Sequence, residues 1–176
     1  ICPLAIQMLG VLNQYRYVLH LHTKKTSDPD WIGNEWRADL YNKLCGSRMQ
    51  VKTALEYLSQ NRVGLVIPTR FRGIDHHYNW GGNFEKAERL WEQSRRIILK
   101  EENGTDKSKE RLLRKGLSEE SILVFPAGMM FWCRPEALMP LWLCTNRSED
   151  YPEEPLPFKD TLAHAAERLV THVCIG

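Results

Sequence analysis

Phe125-Pro126-Ala127-Gly128-Met129-Met130-Phe131-Trp132-Cys133-Arg134-Pro135-Glu136-Ala137-Leu138 is the stretch on which the fold turns. Ser121 to Trp132 is an apolar run interrupted at Pro126-Ala127-Gly128. A buried strand tolerates Pro and Gly only where it bends beside something that needs room, so the run predicts a strand with a bend that faces a ligand. Directly after it, Arg134-Pro135-Glu136 reads as a helix start. Pro135 stands in the first turn, where its missing N–H costs little, and Glu136 lies near the positive end of the helix dipole. A strand that feeds a helix is a unit of an α/β protein.

Working outward, helices are predicted from Pro135 to Leu143 and from Asp160 to Val170. Upstream, Val63-Gly64-Leu65-Val66-Ile67 stops at Pro68 and reads as a buried strand. Tyr17 to His22 is a second strand that runs into the polar stretch Thr23 to Pro29. Helical spacing marks Pro3 to Gln14, Asn34 to Leu44, Met49 to Ser59 and Phe84 to Lys100, with a break at Gly46-Ser47. Thr69 to Asn83 has the length and composition of a binding loop. The charged stretch Glu101 to Lys115 reads as a solvated loop and exposed helix. Strands alternating with helices favour an α/β sheet flanked by helices, although three strands are few for a complete doubly wound domain.

The 176 residues fit one domain, 1–176. With 43% hydrophobic and 26% charged residues the chain is of ordinary globular composition. A net charge of +2 is too small to imply a nucleic-acid or membrane surface by itself, and no nucleic-acid partner is expected. No apolar run approaches the roughly 18 residues a membrane span needs. Five cysteines, odd in number and without a CxxC pair, suggest neither a disulfide framework nor a zinc ribbon, and a reducing cytoplasm fits them. The chain begins at Ile1, inside a helical pattern, so we expect it to be part of something longer.

Four places carry candidate chemistry. His20-Leu21-His22-Thr23-Lys24-Lys25 lies where a strand opens into a loop. Lys24 and Lys25 suit a diphosphate, while His20 and His22, on one strand face, suit a sugar, a phosphate or a metal. A surface lysine pair beside a core-facing histidine is the plain structural reading. Trp36-Arg37 offers a stacking platform beside a planar anion clamp, or core packing with a surface ion pair. In Trp80-Gly81-Gly82-Asn83 the glycines admit a ligand to the backbone, with Trp80 for stacking and Asn83 for hydroxyls; the alternative is a glycine turn before a helix capped by Asn83. Asp160, His164 and Glu167 follow at steps of four and three, one face of a helix, unless Asp160 is a plain N-cap.

Taken in order, LHLHTKK (19–25), WR (36–37), GS (46–47), WGGN (80–83), FPAGMMFWCRPEAL (125–138) and DTLAHAAERL (160–169) resemble the motif set of the rhamnan synthesis protein F family over most of the chain. The resemblance implies a glycosyltransferase that adds sugars, typically rhamnose from a dTDP donor, to glycan or lipid-linked glycan acceptors. The products would be cell-wall, capsular or lipopolysaccharide polysaccharide. It implies a partial GT-A-like (Rossmann-like) α/β sheet, the C-terminal part of such a domain without its N-terminal nucleotide-binding strands, joined to other domains of a longer parent chain. The location would be cytoplasmic or peripheral at the inner membrane face.

By the same resemblance Asp160 is the catalytic base. His20-Leu21-His22 stands where related enzymes carry an acidic Asp-x-Asp metal motif, and Gly128 and Arg134 fall in the acceptor-side segment. Trp36, Arg37, Trp80, Asn83, Trp132 and His164 are the other expected sugar contacts. With histidines and lysines in place of carboxylates, either imidazoles of His20 and His22 hold a divalent metal, or Lys24, Lys25 and His22 neutralise the donor diphosphate without one. The second is favoured, because hard Mg²⁺ prefers oxygen ligands and two adjacent cations repel it. Two other readings stay open at this point: a non-catalytic carbohydrate-binding module, and a metal hydrolase built on His20, His22, His76, His77 and His164.

Overall fold

The computed structural model of the chain describes residues 9–12, 14–23, 30–101, 116–119, 123–145 and 160–174. Helix α1 (Leu9–Leu12) leads to strand β1 (Val18–His20). Helices α2 (Asp30–Cys45) and α3 (Arg48–Leu58) follow, then strand β2 (Leu65–Val66) and a 3₁₀ segment (Arg72–His77). Helix α4 (Phe84–Glu101), strand β3 (Phe131–Cys133), helix α5 (Pro135–Cys144) and helix α6 (Leu162–Val173) complete the described elements.

The sheet has three strands in the order β1-β3-β2, and β3 runs antiparallel to both neighbours. Leu19 and Val66 both face Trp132, and Val18 and Leu65 both face Cys133. Because side chains alternate along a strand, β3 sorts its residues between two cores. Phe131 and Cys133 enter a large cluster with Leu90 and Trp91 of α4, Leu138 and Leu141 of α5, and Leu169 and Val170 of α6. Trp132 joins a smaller cluster with Leu19, Met130, and Leu40 and Leu44 of α2. The sheet is thus covered by helices on both faces, which is the α/β layering expected. Its strands are short and antiparallel, so the rule that ligands bind beyond the carboxyl ends of parallel strands does not place a site here.

Local sequence explains each helix. Ile32, Trp36, Leu40 and Leu44 recur every fourth residue on α2 and face the sheet clusters. Ser47 caps α3 by accepting the Gln50 amide at 3.2 Å, and its hydroxyl donates to Gln50 Oε1 at 2.5 Å, a variant of the capping box. Ala87, Leu90, Trp91, Ser94 and Ile98 make the buried stripe of α4. On α6 the small residues Ala165 and Ala166 are fully buried, which lets α4 and α6 approach closely.

Two boundaries move. The last helix begins at Leu162 rather than Asp160, because Thr161 is its N-cap and accepts the His164 amide. Of the run Ser121–Trp132 the structure describes 123–132, which is a strand only at its end, since residues 126–129 form a tight turn. The expected helix Pro3–Gln14 is described only at 9–12 and 14, and the charged stretch 102–115 lies outside the described residues. Among the described residues no helix is long and apolar enough to cross a membrane.

Leu138 is fully buried between the helices and the sheet. Leu138→Ala should lower unfolding free energy by about 2–5 kcal/mol. Leu143→Ala, on the exposed side of the same helix, should change it by less than about 0.5 kcal/mol. Urea titration of the two variants checks both values.

Candidate functional site

The first cluster is built around the turn at 126–129. Ala127 N donates to Phe125 O at 2.9 Å and Met129 N to Pro126 O at 2.7 Å. Gly128 takes φ +90° and Met129 φ +52°, the left-handed region. A side chain at Gly128 would also meet Leu40 Cδ1 at 2.9 Å and Trp36 Cζ2 at 3.2 Å, so glycine is required by both backbone and space. Glu167 Oε1 accepts the Gly128 amide at 2.6 Å. His22 Nε2 lies 2.5 Å from Gly128 O, and His20 Nδ1 lies 2.5 Å from Met129 O. A ring nitrogen facing a carbonyl must carry the proton and donate it, which fixes both tautomers.

His20 also stacks on Phe131, with ring centroids 5.3 Å apart. Burial pushes its pKa below the usual 6.5, the Met129 bond works against that, and neighbouring His22 adds to it. Pro126, Ala127 and Gly128 are themselves buried. The bend expected to face a ligand instead faces Trp36 and the histidines.

The second cluster lies at the other side of α6. Gly81 and Gly82 have φ +53° and +78°, and Asp160, just outside the helix, has φ +64°. The Asp160 carboxylate rests directly over Gly82: a Cβ there would clash with Oδ1 and lie 3.2 Å from Cγ. Beneath the exposed turn, Asn83 is 1% exposed and its amide donates to Trp80 O at 2.9 Å and Gly81 O at 3.1 Å. Arg168 is 8% exposed; its Nε donates to Asn79 O at 2.7 Å and its Nη1 to His164 O at 3.0 Å. Burial lowers its pKa, opposed by the carboxylates of Glu167 and Asp160. His164 Nδ1 lies 2.7 Å from Thr161 Oγ1.

Glu167 and Arg168, adjacent on α6 and 3.8 Å apart as an ion pair, join the two clusters. They were the residues that spacing undervalued: Glu167 was visible on the helix face, but nothing in a sequence shows that its oxygen ends on a turn 39 residues away.

The remaining expected residues separate from this pair of clusters or turn inward. Trp80 is 4% exposed, and its indole packs edge-on to Phe84 and donates to Ser118 O at 3.3 Å, so it offers no face to a sugar. Asn83 is the glycine-turn residue before α4, not an open hydroxyl contact. Arg134 donates to Leu58 O and Gln60 O, satisfying carbonyls at the end of α3. Trp132 Nε1 donates to Leu44 O at 2.9 Å. Trp36 is half-buried against Gly128, and Arg37 donates to Asn34 Oδ1 at 2.9 Å. Asp160 does not share a helix face with His164 and Glu167, since it precedes the cap. Lys24 and Lys25 lie outside the described residues. Among the described residues no group of three or more His, Cys, Asp or Glu side chains is placed to hold a metal ion, so His20 and His22 have no third ligand there.

Glu167→Ala leaves the buried Gly128 amide without its acceptor, so it should cost about 1–3 kcal/mol and speed hydrogen exchange at Gly128. Stability should also depend on pH through His20. Its folded pKa is depressed, so its contribution is complete above the unfolded value of 6.5 and declines as pH falls from there toward the folded value. A His20→Gln variant, measured by denaturation from pH 7.5 to 5, should show a flatter profile.

The profile of the family described as rhamnan synthesis protein F matches residues 1–175. Two curated relatives, both described as uncharacterized protein WxcX, come from Xanthomonas campestris pv. campestris strains B100 and ATCC 33913. Each is 29% identical over 157 residues, covering 87% of this chain. The chain spans only 19% of the length of these relatives. No solved structure matches it significantly. With residues 1–175 matched by the family model, the chain belongs to the rhamnan synthesis protein F family.

Proposed function

We propose that the chain forms the acceptor side of a GT-A-like glycosyltransferase that builds bacterial polysaccharide, with Asp160 as the base. The observation that carries this reading is the Asp160 carboxylate, exposed, fixed by a left-handed backbone over Gly82, and backed by the buried Arg168 guanidinium. A carboxylate held outside a helix with open space beside it can take a proton from a bound hydroxyl. The family description supports a role in rhamnan assembly, and hence a rhamnosyl donor such as dTDP-rhamnose.

The reaction is an inverting displacement. Asp160 takes the proton of an acceptor hydroxyl, the acceptor oxygen bonds to the anomeric carbon of the donor sugar, and the bond from that carbon to the nucleotide diphosphate breaks. Lys24 and Lys25 neutralise the departing diphosphate. His22 donates through Nε2 to Gly128 O, which leaves Nδ1 as an acceptor with no N–H for the diphosphate, so that task falls to the lysines. A nucleotide-sugar donor assigns the reaction to the cytoplasm or the inner membrane face. Trp80 was one of the aromatic platforms of the carbohydrate-binding alternative, and its burial removes it from that reading.

In the full-length parent protein, Asp160→Asn should cut transfer by about 10²–10⁴-fold with donor affinity retained; normal turnover would reject the base assignment. Lys24→Ala should weaken donor binding in calorimetry, and an unchanged affinity would reject the diphosphate role. Chelation with EDTA should leave donor binding intact if the lysines act without metal.

A further inference from the structure

Arg168 is the least expected group on the surface of the second cluster. It is nine-tenths buried, yet among the described residues only Nε and Nη1 have hydrogen-bond partners. Nη2 lies 3.6 Å from the place a Cβ of Gly81 would occupy. The next residue, Gly82, carries the Asp160 carboxylate at its own missing Cβ. Arg168 pairs with Glu167 at 3.8 Å and makes no ion pair with Asp160, although the two charges feel one another. A donor and an acceptor therefore stand apart on neighbouring glycines, with the Asn79 side-chain oxygen beside the donor, 3.2 Å from the same Gly81 position. Nη2 itself reaches solvent beside the turn, where a ligand oxygen arriving over the glycines can accept from it.

We infer that Arg168 Nη2 and the Asp160 carboxylate, across the Gly81–Gly82 turn, form a subsite for two vicinal hydroxyls of the acceptor saccharide. One hydroxyl donates to Asp160 and is the one that reacts; its neighbour accepts from Arg168. Adjacent hydroxyls of a pyranose present this donor and acceptor pair, and the glycines let the sugar ring reach the backbone. A side chain at Gly82 would displace the carboxylate. The inference rests on the proposed function in taking the ligand to be a saccharide, and it adds which hydroxyls are read and by which groups.

Saturation-transfer difference NMR on the full-length parent protein, without donor, tests it. The probes are methyl α-L-rhamnopyranoside and its 3-deoxy analogue. The wild-type protein should bind the first with its strongest transfer at H2 and H3, and the deoxy analogue at least about tenfold more weakly. Asp160→Asn, a change at an exposed residue, should weaken binding of the rhamnoside severalfold. Arg168→Lys should do so too, and because Arg168 also holds Asn79 and His164, its unfolding midpoint is measured alongside. Equal affinity for both probes, no binding of either, or unchanged binding in Asp160→Asn overturns the subsite. Each of those outcomes leaves the base assignment standing if Asp160→Asn still abolishes transfer.

Discussion

The hydrogen bond from the Gly128 amide to the Glu167 carboxylate ties the centre of the sheet to the last helix. Gly128 sits three residues before β3, the strand that both neighbours pair with, and Glu167 sits next to Arg168 on α6. Once Glu167 holds the turn, Arg168 has a fixed neighbour, and the guanidinium then has a fixed position beneath the Gly81–Gly82 turn. His20 of β1 and His22 just beyond it secure the same turn. A buried amide N–H donating to anything less than a firmly placed acceptor would be expensive, so the Glu167 carboxylate serves the fold and fixes the neighbour of Arg168.

This arrangement changes the meaning of the motifs. FPAGMMFWCRPEAL is chiefly a structural joint: its glycine makes room for Trp36 and Leu40, its aromatic and cysteine fill the core, and its arginine closes the end of α3. His20 of β1 and His22 just beyond it spend one nitrogen each on that joint. The proposed surface chemistry falls instead to Asp160, the glycine pair and Arg168. Helix α6 carries both the Glu167 contact to the turn and the Arg168 guanidinium.

Much of the architecture was legible in the sequence. Helical spacing on α2 and α4, the break at Gly46-Ser47 and the Pro135 helix start all report local physics, and local physics is written in neighbouring residues. The direction of the strands was not, because pairing depends on residues far apart in the chain. Asp160 and the Gly81–Gly82 turn stood out separately in the sequence, and the contact between them did not. Trp80, Asn83 and Arg134 were misjudged for one reason. Aromatic, amide and guanidinium groups suit sugars and buried backbone carbonyls equally well, and only the tertiary packing says which they meet. The Asp160 N-cap reading failed because Thr161, one residue later, supplies the capping oxygen.

The central claim is that the acceptor hydroxyl reacts at Asp160. A crystal structure of the parent protein with its nucleotide-sugar product and an acceptor saccharide tests this directly. The account predicts the reacting hydroxyl within about 2.6–3.2 Å of an Asp160 carboxylate oxygen, with the neighbouring hydroxyl toward Arg168. An acceptor bound elsewhere, with another carboxylate or imidazole at its reacting oxygen, would contradict it.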